Sequence, residues 1–133
     1  MFLKAMHKNQ RRHSPRVQPL TSPAPTCTIA VSSAILDLLI CDISTGGIAL
    51  LVPFHAIGLE KDTTLLNNIL DLPTVDRFQV HLRIVHNQPY VLDNGDIVQR
   101  IGCAFTNLNS TRQHHIQTYI QQQHHFAAQM YPM

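Results

Sequence analysis

Two short groups of residues have side chains that could bind a ligand. Near the start of the chain stand three arginines, Arg11, Arg12 and Arg16. Further on come a carboxylate, a hydroxyl and two glycines, at Asp42, Ser44, Gly46 and Gly47. Guanidinium groups pair with phosphate oxygens and with guanine edges, and they stack on purine rings. A carboxylate accepts hydrogen bonds from the guanine N–H edge, and a hydroxyl can donate to a phosphate. Together they suit a small anionic ligand with hydrogen-bonding edges, such as a nucleotide with phosphates and guanines.

The arginines are predicted to lie on an extended arm outside regular structure. Residues 18–26 contain three prolines, which break helices and central strands. Pro15 also biases Ser14 toward an extended conformation. Residues 1–10 are interpreted as a tail or linker. The alternative interpretation of the arm is a solvated basic tail without a ligand.

The segment that carries the second group is predicted to be β structure. Residues 27–52 are rich in apolar side chains, and the run from Ala34 to Asp42 is expected to be a strand buried on both faces. Gly46 and Gly47 are expected to form a tight turn, because glycine permits positive φ and lets a ligand approach the backbone closely. An alternative role for Asp42 and Ser44 is to cap the backbone of this turn.

The rest of the chain predicts further strands followed by one helix. Residues 65–72 are ambiguous, and a strand is favoured because Pro73 and a clear strand follow closely. That strand alternates apolar and polar side chains, with the apolar ones at Phe78, Val80, Leu82 and Ile84. Asn94 and Gly95 predict a hairpin turn, since they tolerate positive φ, and residues 97–105 are expected to form the partner strand.

A C-terminal helix is predicted after an N-cap at Asn109 or Ser110. Apolar residues recur after it at helical spacing, at Ile116, Tyr119, Ile120, Phe126, Ala127 and Met130. The predicted fold class is therefore mainly β, a small closed or nearly closed antiparallel barrel with this helix covering one opening or edge.

Composition narrows the functional classes. The 133 residues suffice for one domain, and 44% hydrophobic with 14% charged residues is a globular composition. A net charge of +2 does not indicate a general nucleic-acid binder, although Lys4 and Lys8 add to the basic arm. The three cysteines are not expected to form a disulfide framework, and Cys41 and Cys103 are expected to be buried thiols. With no signal peptide or spanning segment recognised, a cytoplasmic protein without membrane insertion is predicted.

Neither a metal site nor an enzyme is predicted. The chain has nine histidines, but none pair at the i, i+4 helical spacing that chelates a metal from one face. His81 and His86 are expected on opposite faces of their strand. No nucleophile motif or carboxylate pair indicates catalysis.

The two groups in this order resemble the motifs of PilZ domains. Arg12 and Arg16 match Arg-x-x-x-Arg, with Arg11 before them, and the second group matches Asp-x-Ser-x-x-Gly. The resemblance covers about residues 9–125 and is greatest to the C-terminal domain of flagellar brake proteins. It implies a split-barrel fold with a PilZ domain over residues 11–127, its barrel over about 16–108, its helix over about 110–127 and a tail at 128–133.

The resemblance also implies a function. PilZ domains bind cyclic di-GMP, here through Arg11, Arg12, Arg16, Asp42, Ser44, Gly46 and Gly47. Ligand is expected to order the arm and to create a surface for an effector protein, with the flagellar motor as the first expectation. A monomer or weak homodimer is expected, and Arg11 implies that a stacked pair of ligands could bind. Flagellar brake proteins usually carry an upstream β domain, so an excised or short form is expected. The alternatives are a nucleic-acid-binding regulator that uses the arm and a PilZ-like scaffold that binds no ligand.

Overall fold

The computed structural model describes residues 23–32 and 34–130, with side chains as far as residue 125. Within this part the chain forms six strands and then one helix. The elements are β1 (Thr26–Val31), β2 (Ala34–Ile43), β3 (Gly47–Pro53), β4 (Thr64–Leu72), β5 (Asp76–Val91), β6 (Ile97–Thr106) and α1 (Ser110–Met130).

The six strands close into an antiparallel barrel in the order β1-β2-β3-β6-β5-β4, with β4 paired to β1. The predicted fold class is confirmed, and residues 64–72 form a strand as favoured from the sequence. Successive strands run in opposite directions, so the β2–β3 and β4–β5 turns lie at one end of the barrel. We call this end the motif end, defined by residues 43–47 and 72–76. The far end is defined by residues 53–64 and 91–97.

Alternating side chains fill the barrel. The strand predicted from its alternation buries Phe78, Val80, Leu82 and Ile84. From α1, three side chains join the same core: Ile116, Tyr119 and Ile120. Its N-cap is Asn109, whose Oδ1 accepts a hydrogen bond of 2.8 Å from the Arg112 N–H. The side chains of Phe126, Ala127 and Met130 lie outside the described residues.

α1 lies against the motif end. The Gln122 side chain is hydrogen-bonded to Thr74 in the β4–β5 turn at 3.1 Å. His115 Nδ1 lies 2.9 Å from the Asp76 carboxylate at the start of β5. In the described part of the chain, no helix combines the length and hydropathy that crossing a bilayer requires.

The prediction that residues 34–42 are buried on both faces is wrong. Ile35 is 78% exposed and Leu39 is 56% exposed. Leu38 and Ile40 point into the core, so the residue between them points outward in a pleated strand. An uninterrupted apolar run does not distinguish a strand covered on both sides from one with aliphatic side chains on an open face.

The predicted hairpin turn between β5 and β6 is present. Gly95 has a φ of 92°, but Asn94 is not among the residues with positive φ. Asn94 instead stabilises the turn through its side chain, since its Oδ1 accepts a hydrogen bond of 2.9 Å from the Asp96 N–H. The turn therefore uses one left-handed residue and one side-chain cap.

Candidate functional site

Asp42 and Ser44 lie at the junction of β2 and β3. Ser44 begins the turn, and its N–H donates to the Gly47 carbonyl at 2.9 Å. Its Oγ accepts a hydrogen bond of 3.2 Å from the Gly46 N–H. Ser44 is 5% exposed, so its side chain supports the turn from within. The turn-capping role considered from the sequence is thus present for Ser44.

Gly47 is required by a close approach rather than by its φ. A β carbon at this position would collide with the carbonyl oxygen of Cys103 and lie 3.0 Å from that carbonyl carbon. The predicted tight turn is present, and neither Gly46 nor Gly47 uses the positive φ that glycine permits. Gly46 is exposed, and a β carbon there would meet only Ser44 Oγ, at 3.9 Å. At Gly47 the backbone of β6 makes this close approach, and the approach of a ligand to these glycines stays a prediction.

Asp42 forms a buried ion pair on the outer surface of the barrel. Its Oδ2 lies 2.8 Å from Nη2 of Arg100, and the two side chains are 0% and 6% exposed. A β-bulge between Ile40 and Asp42 shifts the alternation of β2, so Asp42 pairs with Ala49 on the outer face. Arg100 was not predicted as a site residue. The available signal was an arginine inside the otherwise uncharged strand Ile97–Thr106.

The outer face beside Asp42 carries two small residues, Ala49 on β3 and Gly102 on β6. Asp42, Ala49, Gly102 and His86 lie side by side across β2, β3, β6 and β5. The His86 imidazole covers Gly102, because a β carbon at Gly102 would collide with its Nε2. A bulge between Ile84 and His86 changes the alternation of β5. The prediction that His81 and His86 face opposite sides is wrong for this reason, since both lie on the outer face.

Charge is divided unevenly along the chain. The described residues include all eight of its carboxylates but only five of its ten lysines and arginines. The other five cations precede residue 17. Arg11, Arg12 and Arg16 lie outside the described residues, so their approach to Asp42 stays a prediction. A basic leader therefore precedes an acidic barrel, which favours attraction between the two.

The thiols of the described residues have environments that oppose ionisation. Burial raises the pKa of Cys103 to about 12, and burial followed by the proximity of Cys103 raises the pKa of Cys27 to about 12. Burial also raises the pKa of Cys41, although the Arg100 charge acts in the opposite direction. Cys103 is buried as expected, whereas Cys41 is only half-buried. Within residues 23–32 and 34–130, no cluster of histidine, cysteine and carboxylate side chains could hold a metal ion.

Comparison with known proteins identifies relatives of this barrel. The chain is 33% identical over 124 residues to the flagellar brake protein YcgR of Methylibium petroleiphilum, covering 91% of this chain and 53% of the relative. It is 34% identical over 126 residues to the flagellar brake protein YcgR of Nitrosomonas eutropha, covering 87% of this chain and 46% of the relative. The chain thus spans about half the length of these curated relatives.

Solved structures share the fold. The complex of K. pneumonia MrkH with c-di-GMP superposes with a TM-score of 0.81 at 22% identity, covering 92% of this chain and 57% of that one. The PilZ domain of Escherichia coli YcgR with c-di-GMP superposes with a TM-score of 0.74 at 16% identity, covering 91% of this chain and 97% of that one. The family model of the PilZ domain matches residues 10–122. This chain therefore belongs to the PilZ domain family.

Proposed function

We propose that this chain is a non-catalytic receptor for cyclic di-GMP. The observation that carries the proposal is the family match over residues 10–122, because that range includes both the arginine group and the turn after β2. Relatives of the same fold have been solved with this nucleotide bound. The ligand has two phosphates and two guanines, which suits guanidinium groups together with a carboxylate and a hydroxyl.

The proposed site combines the arm with the outer face at the motif end. Arg11, Arg12 and Arg16 pair with the phosphates and stack on the guanines. Asp42 accepts from a guanine N–H edge or holds an arm arginine in place. Gly46 offers an exposed backbone for close approach, and Gly47 keeps β3 seated on β6.

In this proposal the Ser44 hydroxyl donates a hydrogen bond to a phosphate oxygen. Its Oγ already accepts from the Gly46 N–H. Its own O–H reaches the Gly47 carbonyl oxygen only at 3.5 Å, which is long for an O–H···O hydrogen bond. A phosphate oxygen at a normal distance is a better acceptor, so small rotation of the hydroxyl suffices to bind it.

The proposed mechanism is a ligand-dependent docking of the arm. The five cations before residue 17 repel one another, and the two phosphates neutralise part of that charge. Ligand held between the arm and the barrel creates a surface made of both, which is a known kind of switch. In the last step of the proposal, an effector protein recognises this surface, and this recognition controls flagellar motility.

Titration calorimetry of the full chain with cyclic di-GMP tests the receptor function. We expect saturable binding, with Arg12→Ala, Arg16→Ala and Asp42→Ala each weakening affinity by about 30-fold or more. The matched control is Arg83→Ala, which removes an arginine whose side chain is 46% exposed and paired with Asp62. No saturation at about 50 μM ligand would refute the receptor function.

The two alternatives predict different results. A nucleic-acid-binding regulator shifts DNA or RNA in a gel without cyclic di-GMP, and the shift weakens with salt. A scaffold without ligand binding remains folded and shows no heat in the same titration. Wild-type affinity in Arg12→Ala, Arg16→Ala and Asp42→Ala together would mean that the site lies elsewhere on the chain.

A further inference from the structure

Arg100 occupies an unusual position for a cation. It lies on an outward-facing position of β6, yet the residue is only 5% exposed. Its Nη2 donates to Asp42 Oδ2 at 2.8 Å, and it also contacts the Cys41 thiol. No described residue accepts a hydrogen bond from its buried Nε–H. A buried donor without an acceptor is unfavourable, so the surroundings of Arg100 are not those that stability alone would select.

Small residues allow Arg100 to reach Asp42 across an intervening strand. Asp42 is on β2 and Arg100 is on β6, and β3 lies between them. Ala49 of β3 stands opposite both Asp42 and Gly102. Arg100 itself pairs with Leu51 of β3, so its guanidinium extends diagonally to Asp42 on the side of Ala49, which carries only a methyl group. The pair thus fixes the orientation of one carboxylate from a strand two positions away in the barrel.

We propose that Arg100 is a positioning residue of the ligand site, acting through Asp42. This inference rests on the proposed function. The planar guanidinium holds Asp42 Oδ2 and fixes the plane of the carboxylate at the motif end. It also compensates the charge of Asp42, so a ligand with two phosphates approaches without the full repulsion of a buried anion. Lysine can supply the charge but not the planar contact.

A double-mutant cycle on the full chain tests this role. The affinity for cyclic di-GMP is measured by calorimetry for wild type, Arg100→Gln, Asp42→Asn and the double variant, with urea unfolding of each. We expect Arg100→Gln to weaken affinity by about 30-fold or more. In the Asp42→Asn background the same change should alter affinity by less than about 3-fold, because Arg100 then has no carboxylate to position. The control Arg83→Gln should change affinity by less than about 3-fold.

Arg100→Lys keeps the inference testable if Arg100→Gln does not fold. It preserves the charge, and we expect it to weaken affinity by about 10-fold while the chain remains folded. Wild-type affinity in Arg100→Lys, or equal losses from Arg100→Gln with and without Asp42, would overturn the positioning role. In either case weak binding by Asp42→Asn leaves the receptor function standing. A wild-type chain that binds no ligand would instead remove the receptor function and this inference together.

Discussion

Gly46 and Gly47, which are adjacent in the β2–β3 turn, should differ sharply in how much a substitution by alanine destabilises the chain. At Gly47 a β carbon would lie 3.0 Å from the carbonyl carbon of Cys103 and 3.2 Å from Ala104 Cα, both backbone atoms of β6. These atoms belong to the β3–β6 ladder, so they cannot move without breaking strand pairing. At Gly46 the nearest atom to the new carbon is Ser44 Oγ, 3.9 Å away. The φ of Gly46 is not positive, so other residues can adopt it.

The expected magnitudes follow from these contacts. Overpacking against side chains costs about 1–3 kcal/mol, and the obstacle at Gly47 is backbone rather than a movable side chain. We therefore expect Gly47→Ala to lower the free energy of unfolding by about 3 kcal/mol or more. Gly46→Ala should change it by less than about 1 kcal/mol, and could raise it, because alanine reduces the entropy of the unfolded chain.

Urea unfolding followed by circular dichroism measures both variants against wild type. The midpoint for Gly47→Ala should fall clearly, whereas the midpoint for Gly46→Ala should remain near that of wild type. Equal stability of the two variants would refute the reasoning, because it would show that β3 does not approach β6 as closely as the structure has it.

The remaining predictions concern two substitutions and the buried thiols. Gly102→Ala should lower the free energy of unfolding, measured in urea, by about 1–2 kcal/mol, because the added β carbon meets the movable imidazole of His86. The loss should be smaller in a His86→Ala background, where that imidazole is absent. Tyr119→Ala should cost about 3–5 kcal/mol in the same assay, since its fully buried ring joins the helix to the core. The thiols of Cys27 and Cys103 should resist alkylation in the native state at pH 8, measured by mass spectrometry. These thiols have a pKa of 9.0 in the unfolded chain and about 12 in the native chain, so the unfolded state loses their protons first as the pH rises. The free energy of unfolding should therefore fall between pH 9 and pH 12. The fall should be smaller in variants that lack these cysteines.

Local sequence signals predicted the elements well. The alternation from Phe78 to Ile84 identified an inward and an outward face, because side chains in a strand point to opposite sides in turn. Asn109 was correctly identified as a possible N-cap, since its side chain bonds a backbone N–H only three residues away. Both features depend on neighbours in the chain and need no tertiary information.

Features that depend on distant contacts were not predictable in the same way. The role of Gly47 is set by Cys103 and Ala104 of β6, which lie more than fifty residues later in the sequence. Asp42 and Arg100 are 58 residues apart, and a bulge places Asp42 on the outer face. A second bulge places His86 over Gly102. Each bulge changes which face the following residues occupy, and periodicity alone does not reveal it.

The most direct measurement of the central claim is an NMR titration of the full chain with cyclic di-GMP. The receptor account predicts saturable shifts of backbone amides at residues 42–47 and 100–102, at the motif end and the adjacent outer face. Amides of residues 54–58 and 92–96, at the far end of the barrel, should not shift. Saturable shifts confined to the far end, or no saturable shift anywhere, would contradict the account.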